Sequence, residues 1–438
     1  MSSYKKSLVL CCLLLLFNAC SNKTLDLENK EPKKTEFVEV KTKNFESENQ
    51  YIILALESEN QRMYYDAREL YFKLFVQTNN YEYFVKYLAL STNLKDYELV
   101  KENAMKYYIN NIKQEEIILR LYTFSLFKLG ESVEALKNGE KLVTLFKNDV
   151  NYEVLGTIYL QQKNYLKAYE FFDKAYAINK SSNTFLNLTN IQYYNLEQKN
   201  EAITKLEEYI KSNGYDFNLS IQLLSFYEKE QKTDKLVPFL KEMYFDYKKN
   251  NEQLLLGKTK LLLVKYIAKD NVGNAIAFLE QNNEEDDMLL NLYKITNQPQ
   301  KAYDLLDRLY KKSNNLDYLA QQAILEFEMA EDKRKVLNNV VIKFEKVLET
   351  ENNHVYENYL AYILIDFNIS AQRGVTLVKK ALIEEPNNMA YLDTLAWGQY
   401  KLKNCQEAYK QMKRVVDEIG LNDTEIKLHW EKIKECKK

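Results

Sequence analysis

Residues 151–175 of this 438-residue chain read NYEVLGTIYLQQKNYLKAYEFFDKA and contain two amphipathic stripes separated by a short polar break. In the first stripe Leu155 and Tyr159 lie four residues apart, and in the second Ala168, Phe172 and Ala175 follow i, i+4, i+7 spacing. This spacing places the apolar residues of each stripe on one face of a helix. The small residues allow the two helices to approach closely, and the aromatic rings fill the space beside them. The stretch therefore predicts a helix pair joined by a turn at residues 162–164.

The same pattern recurs along the chain about every 34 residues. Positions equivalent to Ala168, which we call the repeat positions, carry mostly small or aliphatic residues: Ala67, Val100, Ala135, Ala202, Leu236, Ala275, Ala302, Val340, Gly374 and Ala408. Tyr159, nine residues before its repeat position, has counterparts at Tyr193, Tyr227, Tyr266 and Tyr293. Eleven positions in phase predict an internal repeat in which each unit contributes one helix pair.

The composition agrees with a chain that is almost entirely helical. It contains only 9 glycines and 4 prolines, which leaves few residues for the tight turns of a β-sheet protein. Apolar residues make up 46% of the chain, which excludes intrinsic disorder as a description of the whole protein. The net charge of −2 gives no electrostatic reason to expect nucleic acid as a partner.

The helix-pair segment resembles a tetratricopeptide repeat (TPR), whose period is about 34 residues. The resemblance covers about residues 48–438 and implies an all-α, right-handed superhelical solenoid of about eleven TPR helix pairs. Residues 422–438 have the phase of a first helix with no second helix after it, so we predict a C-terminal capping helix that covers the end of the array. A helical array of HEAT type is the structural alternative, although its units are usually longer.

The spacing of the repeat positions predicts three segments within the array. It favours an N-terminal TPR solenoid at residues 48–250 and C-terminal TPR repeats at residues 349–421. In the intervening residues 251–348 the spacing changes to 39, 27 and 38 residues. We interpret residues 251–348 as an irregular TPR-like segment in which the superhelical pitch changes.

The first twenty residues resemble a bacterial lipoprotein signal. Lys5 and Lys6 precede a ten-residue apolar run, which is too short for a membrane span of about 20 residues. The run ends in LFNAC at residues 16–20, which is similar to a lipobox. The resemblance implies that residues 1–19 are a signal peptide and that Cys20 is acylated, with palmitate as one such acyl group. An ordinary cleaved signal followed by an unrelated cysteine is the alternative.

The residues after Cys20 predict how such a protein would be held at a membrane. Residues 20–47 are polar and charged without a sustained helical stripe, which is typical of a lipid-anchored flexible tether. Ser21, rather than an aspartate, follows the cysteine. In lipoproteins of Gram-negative bacteria this resemblance implies sorting to the outer membrane, facing the periplasm.

The chain offers few candidates for catalysis or metal binding. It has only 2 histidines, and no motif of a serine hydrolase, nucleotide-binding enzyme or zinc protease occurs. His429, Cys405 and Cys436 can supply three metal ligands, but a packed histidine and two unrelated thiols are the commoner arrangement. Export would instead allow Cys405 and Cys436 to form a disulfide, with two independent thiols as the alternative. We expect no catalytic residue, metal or cofactor.

The resemblance to TPR proteins implies that the first helices line a groove for a protein partner. One face of each first helix falls 18, 15, 11 and 8 residues before the repeat position. Aromatic residues at these positions are candidate partner-binding residues, although each can also pack against a neighbouring repeat: Phe124, Phe127, Tyr194, Tyr356, Tyr359, Trp397 and Tyr400. Positions 11 residues before are mostly apolar or small, which argues against a clamp for a C-terminal carboxylate.

These observations predict a non-catalytic envelope lipoprotein whose TPR groove binds a protein partner and scaffolds a membrane-associated assembly. One alternative is an accessory subunit that presents substrate to an envelope hydrolase or polysaccharide machine. Another is a catalyst in its own right, which would need a buried acid pair with perturbed pKa values.

Overall fold

The computed structural model describes residues 46–109 and 115–437. Within these residues the regular elements are twenty-three α-helices and one π-helical turn, with no strand. Among the same residues, no helix combines the length and the apolar character of a membrane span. The predicted signal peptide, Cys20 and most of the predicted tether lie outside the described residues.

The chain divides into two compact units between Asn250 and Asn251, and the first unit consists of six helix pairs. These are α1 (Glu48–Asn60) and α2 (Tyr64–Thr78), α3 (Tyr81–Asn93) and α4 (Tyr97–Ala104), α5 (Glu116–Leu129) and α6 (Ser132–Leu145), α7 (Asp149–Gln161) and α8 (Tyr165–Asn179), α9 (Ser182–Tyr194) and α10 (Lys199–Asn213), and α11 (Phe217–Lys229) and α12 (Thr233–Lys249). The π-helical turn Met105–Ile109 extends α4. In each pair the two helices pack against each other.

The second unit consists of five helix pairs and one further helix. The pairs are α13 (Gln253–Asp270) and α14 (Val272–Gln281), α15 (Asp287–Ile295) and α16 (Pro299–Ser313), α17 (Leu316–Met329) and α18 (Lys333–Leu348), α19 (His354–Asp366) and α20 (Ala371–Glu384), and α21 (Met389–Lys401) and α22 (Cys405–Ile419). The last helix, α23 (Thr424–Lys437), packs on both α21 and α22. The predicted all-α array of about eleven helix pairs with a C-terminal capping helix is therefore confirmed. The finer division into regular and irregular segments stays a prediction.

The repeat positions occupy equivalent places in the helix pairs. All eleven are buried, and ten of them are the fourth residue of a second helix. Val340 is the exception, because it is the eighth residue of α18, and Val336 is the fourth. By position in the helix, the repeat position of α18 is therefore Val336, and the sequence analysis placed it one helical turn further along the chain. Val336 and Val340 both fit the i, i+4 stripe, so the spacing alone did not separate them. The correction moves the 38-residue interval to the following repeat.

Small residues stand where neighbouring helices approach most closely. A Cβ atom added to Gly374 of α20 would lie 2.5 Å from Ile365 Cγ1 and 2.9 Å from the carbonyl oxygen of Ala361. A Cβ atom added to Gly398 of α21 would lie 2.5 Å from Val375 Cγ2. All three distances are far below van der Waals contact, so the packing of α19, α20 and α21 requires glycine at these two positions.

A recurring contact holds the tyrosines that lie nine residues before several repeat positions. Tyr193 Oη donates a 2.6 Å hydrogen bond to Glu230 Oε1, and Lys199 Nζ lies 2.9 Å from the same oxygen. Corresponding Tyr–Glu–Lys contacts join Tyr227, Glu207 and Lys235 and, in the second unit, Tyr293, Glu280 and Lys301. The hydrogen bond from Tyr193, followed by that from Lys199, holds the pKa of Glu230 below its usual value. In these contacts each carboxylate charge is balanced by a lysine.

Candidate partner-binding site

Side chains from successive first helices meet on one face of the second unit. Tyr318 Oη of α17 donates a 2.9 Å hydrogen bond to Asp287 Oδ1 of α15, and Tyr356 of α19 donates through its hydroxyl to Asp317 of α17. These bonds span 31 and 39 residues of sequence. Each links one helix pair to the preceding one through an aromatic donor and a carboxylate acceptor.

The same kind of contact continues into the last repeat. Trp397 Nε1 of α21 donates a 3.0 Å hydrogen bond to Asp366 Oδ1 of α19. The Trp397 ring stacks on Tyr400 with ring centroids 4.8 Å apart. It also stacks on His429 of the capping helix, with ring centroids 4.1 Å apart. The aromatic stack therefore extends from the last repeat to α23.

His429 connects the capping helix to a further carboxylate. Its Nδ1 lies 2.9 Å from Asp393 Oδ1, and its side chain is only 2% exposed. Such a histidine–carboxylate pair also occurs in catalytic sites, where the imidazole must reach a substrate. His429 has no such access, because Trp397 covers its ring, and we assign it to the packing of α23.

Burial and like charges act together on Glu425 of the capping helix. Burial raises the pKa of its carboxyl, and the negative charges of Asp393 and Asp366 add to this effect. The hydrogen bond from Tyr362 and the proximity of His429 oppose the increase without cancelling it. On α19, burial and the neighbouring Glu328 likewise raise the pKa of Tyr359.

We call these acidic side chains the carboxylate row, and its members are Asp287, Asp317, Glu328, Asp366, Asp393 and Glu425. Within the described residues none of the six forms a salt bridge with a lysine or an arginine, and the only basic side chain paired with them is His429. The row thus differs from the Tyr–Glu–Lys contacts, because aromatic groups provide hydrogen bonds but no lysine balances the charge.

A cavity of about 500 Å³ lies beside the first part of the row. Its lining combines apolar with polar side chains from α15, α16, α17, α19 and the turn before α16: Lys294, Asn297, Gln298, Pro299, Ala302, Gln321, Ile324, Leu325, Glu328 and Tyr356. Lys294 Nζ donates a hydrogen bond to Gln321 Oε1 rather than to a carboxylate. The cavity is large enough for an apolar side chain of a partner.

The aromatic residues predicted from the sequence fall into two groups. Phe124, Phe127 and Tyr194 lie in the first unit, where Phe127 is 9% exposed and Lys229 Nζ donates a 2.8 Å hydrogen bond to Tyr194 Oη. The remaining four lie on α19 and α21 of the second unit: Tyr356, Tyr359, Trp397 and Tyr400. Only these four adjoin the carboxylate row, and their assignment to partner binding stays a prediction.

The sequence prediction missed the carboxylates, although their positions carried a signal. Asp366 falls eight residues before Gly374, and Asp393 falls fifteen residues before Ala408. These are two of the spacings that define the predicted groove face. Spacing alone, however, does not distinguish these carboxylates from the many other acidic residues of the chain.

The two cysteines fasten the capping helix to the last repeat. Cys405, the first residue of α22, forms a disulfide with Cys436 near the end of α23, with their Cα atoms 5.5 Å apart. The alternative of a metal site formed by Cys405, Cys436 and His429 is wrong for this structure, because the thiols bind each other and His429 binds Asp393. Across the part of the chain that the structure describes, no group of three or more His, Cys, Asp or Glu side chains is arranged to hold a metal ion.

Comparison with models of known families and with curated proteins gives no match. Among solved structures, a tetratricopeptide repeat protein from Parabacteroides merdae is 16% identical, with 57% of this chain and 98% of that chain covered and a TM-score of 0.38. PilF of Pseudomonas aeruginosa is 15% identical over 48% of this chain and 96% of that chain, with a TM-score of 0.37. A chain of the APC/C hetero-tetramer Cut9–Hcn1 is 10% identical over 89% and 96%, with a TM-score of 0.30. At these values, function has to be argued from the side chains of the site.

Proposed function

We propose that this protein is a non-catalytic scaffold that binds a protein partner along the first-helix face of its second unit. The observation that carries this proposal is the carboxylate row with its aromatic donors, which continues across the first helices from α15 to α23. Repeated helices with similar side chains on one face form an extended surface, and such surfaces suit a polypeptide better than a small substrate.

The proposal includes membership of the TPR family and a lipid anchor at Cys20, which places the protein in the cell envelope at the outer membrane. It rests on the repeat period of about 34 residues and on the lipobox-like sequence at residues 16–20. One acyl chain binds a bilayer marginally, whereas two or more hold a protein firmly. The array would then hold its partner close to the membrane and scaffold an assembly there.

The anchor is tested by replacing the acylated residue. Cys20→Ala should release the protein from the membrane fraction or stop the removal of residues 1–19, because the modified thiol is lost. Fractionation of cells and the mass of the mature protein measure both effects. Unchanged membrane attachment and unchanged processing would exclude a lipoprotein.

Partner binding is tested by photo-crosslinking in intact cells. A benzophenone amino acid replaces Tyr400, which lies on the first-helix face, or Ile383, which is 74% exposed on the second helix α20. We expect a discrete crosslinked product from position 400 that position 383 does not give. Equal products from both positions would contradict binding on the first-helix face.

A further inference from the structure

We infer that the partner segment bound along the carboxylate row is cationic, an extended stretch of protein whose lysine or arginine side chains lie against the row. This inference rests on the proposed function, because it names the chemistry of the partner for the same surface. It follows from three observations on the row, which concern charge balance, free acceptor positions and the aromatic rings.

The first observation is that lysine balances several other carboxylates of the second unit. Lys260 Nζ lies 2.9 Å from Glu284 Oε2 and 2.5 Å from Asp286 Oδ2, with both the lysine and Glu284 largely buried. Lys343 and Glu326 form a similar half-buried pair at 2.7 Å. The row contains no such lysine or arginine among the described residues, so its charge stays available to a partner.

The second observation concerns the acceptor capacity of the carboxylates. An ionised carboxylate has about four lone-pair positions. Asp366 accepts one hydrogen bond from Trp397 Nε1, and Asp287 accepts one from Tyr318 Oη. These aromatic donors hold Asp366 and Asp287 in place and leave most of their lone pairs unused, whereas Asp317 accepts a second hydrogen bond from Gln321. Such oriented carboxylates suit the several N–H donors of an arginine or a lysine.

The third observation is a cation that already lies at the aromatic end of the row. Lys401 Nζ of this chain lies 4.8 Å from the centre of the Trp397 ring and donates a 3.1 Å hydrogen bond to Asn368. Cations interact favourably with aromatic faces within about 6 Å. The position of Lys401 shows that an ammonium group fits beside the Trp397 ring, which also stacks on Tyr400 and His429.

The charges of the row also reinforce one another. Burial raises the pKa of Glu425 against a hydrogen bond from Tyr362 and the proximity of His429, and the negative charges of Asp393 and Asp366 add a smaller increase. A bound cation would relieve this repulsion, and the potential of several like charges would increase the rate of encounter with a cationic segment. The cavity beside the row, with Ile324 and Leu325 in its wall, would take an apolar side chain of the same segment.

The test uses two synthetic probes and the full-length protein in detergent. One 12-residue peptide carries four lysines and two leucines among serine and glycine, and its matched partner carries four glutamates instead of the lysines. Fluorescence anisotropy of the labelled peptides, at low and at high salt, measures binding. We expect the cationic peptide to bind at least about tenfold more tightly than the anionic one, with the difference reduced at high salt.

The protein variants assign that binding to the row. Glu328→Gln with Asp366→Asn removes two charges but keeps acceptors for Tyr359 and Trp397, so the fold should persist, as thermal unfolding would verify. We expect this variant to bind the cationic peptide about tenfold more weakly. The matched control, Glu384→Gln with Glu418→Gln, removes two exposed charges from the second helices α20 and α22 and should bind as the original protein does.

Several outcomes would overturn the inference. Equal binding of both peptides would show that charge does not select the partner, and equal loss in the row variant and the control would show only a net-charge effect. Self-association that the row variant abolishes would identify a second copy of the chain as the occupant. If position 400 captures a partner in cells but the captured segment lacks lysine and arginine, the scaffold function stands and the cationic partner does not.

Discussion

The first-helix faces of the two units share one architecture but differ in how their charges are balanced. In the first unit Glu59 is paired with Lys86 at 3.1 Å, and Arg120 with Glu116 at 3.3 Å. In the second unit the six members of the carboxylate row have aromatic donors or one histidine instead. Helix pairs therefore pack in the same way in both units. The charge on the first-helix face varies separately from this packing, and it defines the candidate site.

Glu153 shows how the first unit accommodates an acidic side chain without a lysine. Its Oε1 accepts hydrogen bonds from Thr184 and from Asn179, and burial raises the pKa of its carboxyl. The residue thus connects α7 with α8 and α9 as a buried polar contact. Glu328 of the second unit is exposed by comparison and has room for an external partner. Under the proposed function Glu328 would serve recognition, whereas Glu153 serves packing.

The largest loss of stability should come from burying a charge between paired helices, whose packing is common to both units. Ala168 and Ala302 are fully buried repeat positions, one in each unit. Ala168→Lys and Ala302→Lys should each destabilise their unit by about 4 kcal/mol, because an unpaired charge would be buried between two helices. Thermal unfolding followed by circular dichroism measures the loss.

Each of these variants has a neighbouring control that introduces the same residue at an exposed position. Leu166 is 70% exposed on α8, and Gln300 is exposed on α16. Leu166→Lys and Gln300→Lys should leave the unfolding temperature nearly unchanged. A control as damaging as its buried counterpart would show that the assigned repeat register is wrong.

The second largest loss of stability should follow removal of the disulfide, and it should be confined to the second unit. The disulfide between Cys405 and Cys436 closes a loop of 31 residues. In the chain-entropy model Cys436→Ser should cost that unit roughly 3–4 kcal/mol and leave the first unit unaffected. Hydrogen exchange resolved by segment measures both units in one experiment.

The oxidation state of the cysteines provides an independent check. Alkylation of the exported protein should modify neither Cys405 nor Cys436 before reduction and both afterwards. Two modified thiols in the unreduced protein would refute the bridge. A loss of protection in Cys436→Ser that spread equally over the first unit would contradict the expected confinement of the effect to the second unit.

The sequence predicts the helix pairs of the fold but not the side-chain contacts of the candidate site. Ala168 and its equivalents are recognisable because helix pairing depends on local i, i+4 spacing, and the same local rule misplaced Val340 by one turn. The contact between Trp397 and Asp366 joins residues 31 apart on different helices. Its existence depends on how neighbouring repeats pack, so the sequence could identify the ring as a candidate but not its carboxylate partner.

The smallest effects concern the pH dependence of stability. This dependence should have opposite signs for a carboxylate paired with lysine and for one without a lysine. The pKa of Glu230 is lowered in the folded protein. Its contribution to stability is therefore present above the pKa of the unfolded state and is lost as the pH falls through the pKa of the folded state. The pKa of Glu425 is raised in the folded protein. Its contribution to stability is therefore present below the pKa of the unfolded state and is lost as the pH rises through the pKa of the folded state.

Substitution by glutamine should reveal these signs at neutral pH. Glu230→Gln should lower the unfolding temperature at pH 7 by a few degrees at most and have less effect near pH 3. Glu425→Gln should raise it slightly at pH 7, because the variant no longer has a charge to place in this partly buried position beside Asp393 and Asp366. Melting curves from pH 3 to pH 8 compare both variants with the original protein, and shifts of the same sign would contradict the assigned charge balance.

Binding of a cationic partner on the first-helix face of the second unit is tested most directly by comparing the two first-helix faces in intact cells. A benzophenone amino acid is placed at Tyr400 in the second unit or at Tyr194 in the first, both half-buried first-helix tyrosines, and the crosslinked products are identified by mass spectrometry. We expect a discrete partner at position 400, with a lysine- or arginine-rich segment at the crosslink, and little product at position 194. Capture at position 194 with none at position 400 would contradict this expectation.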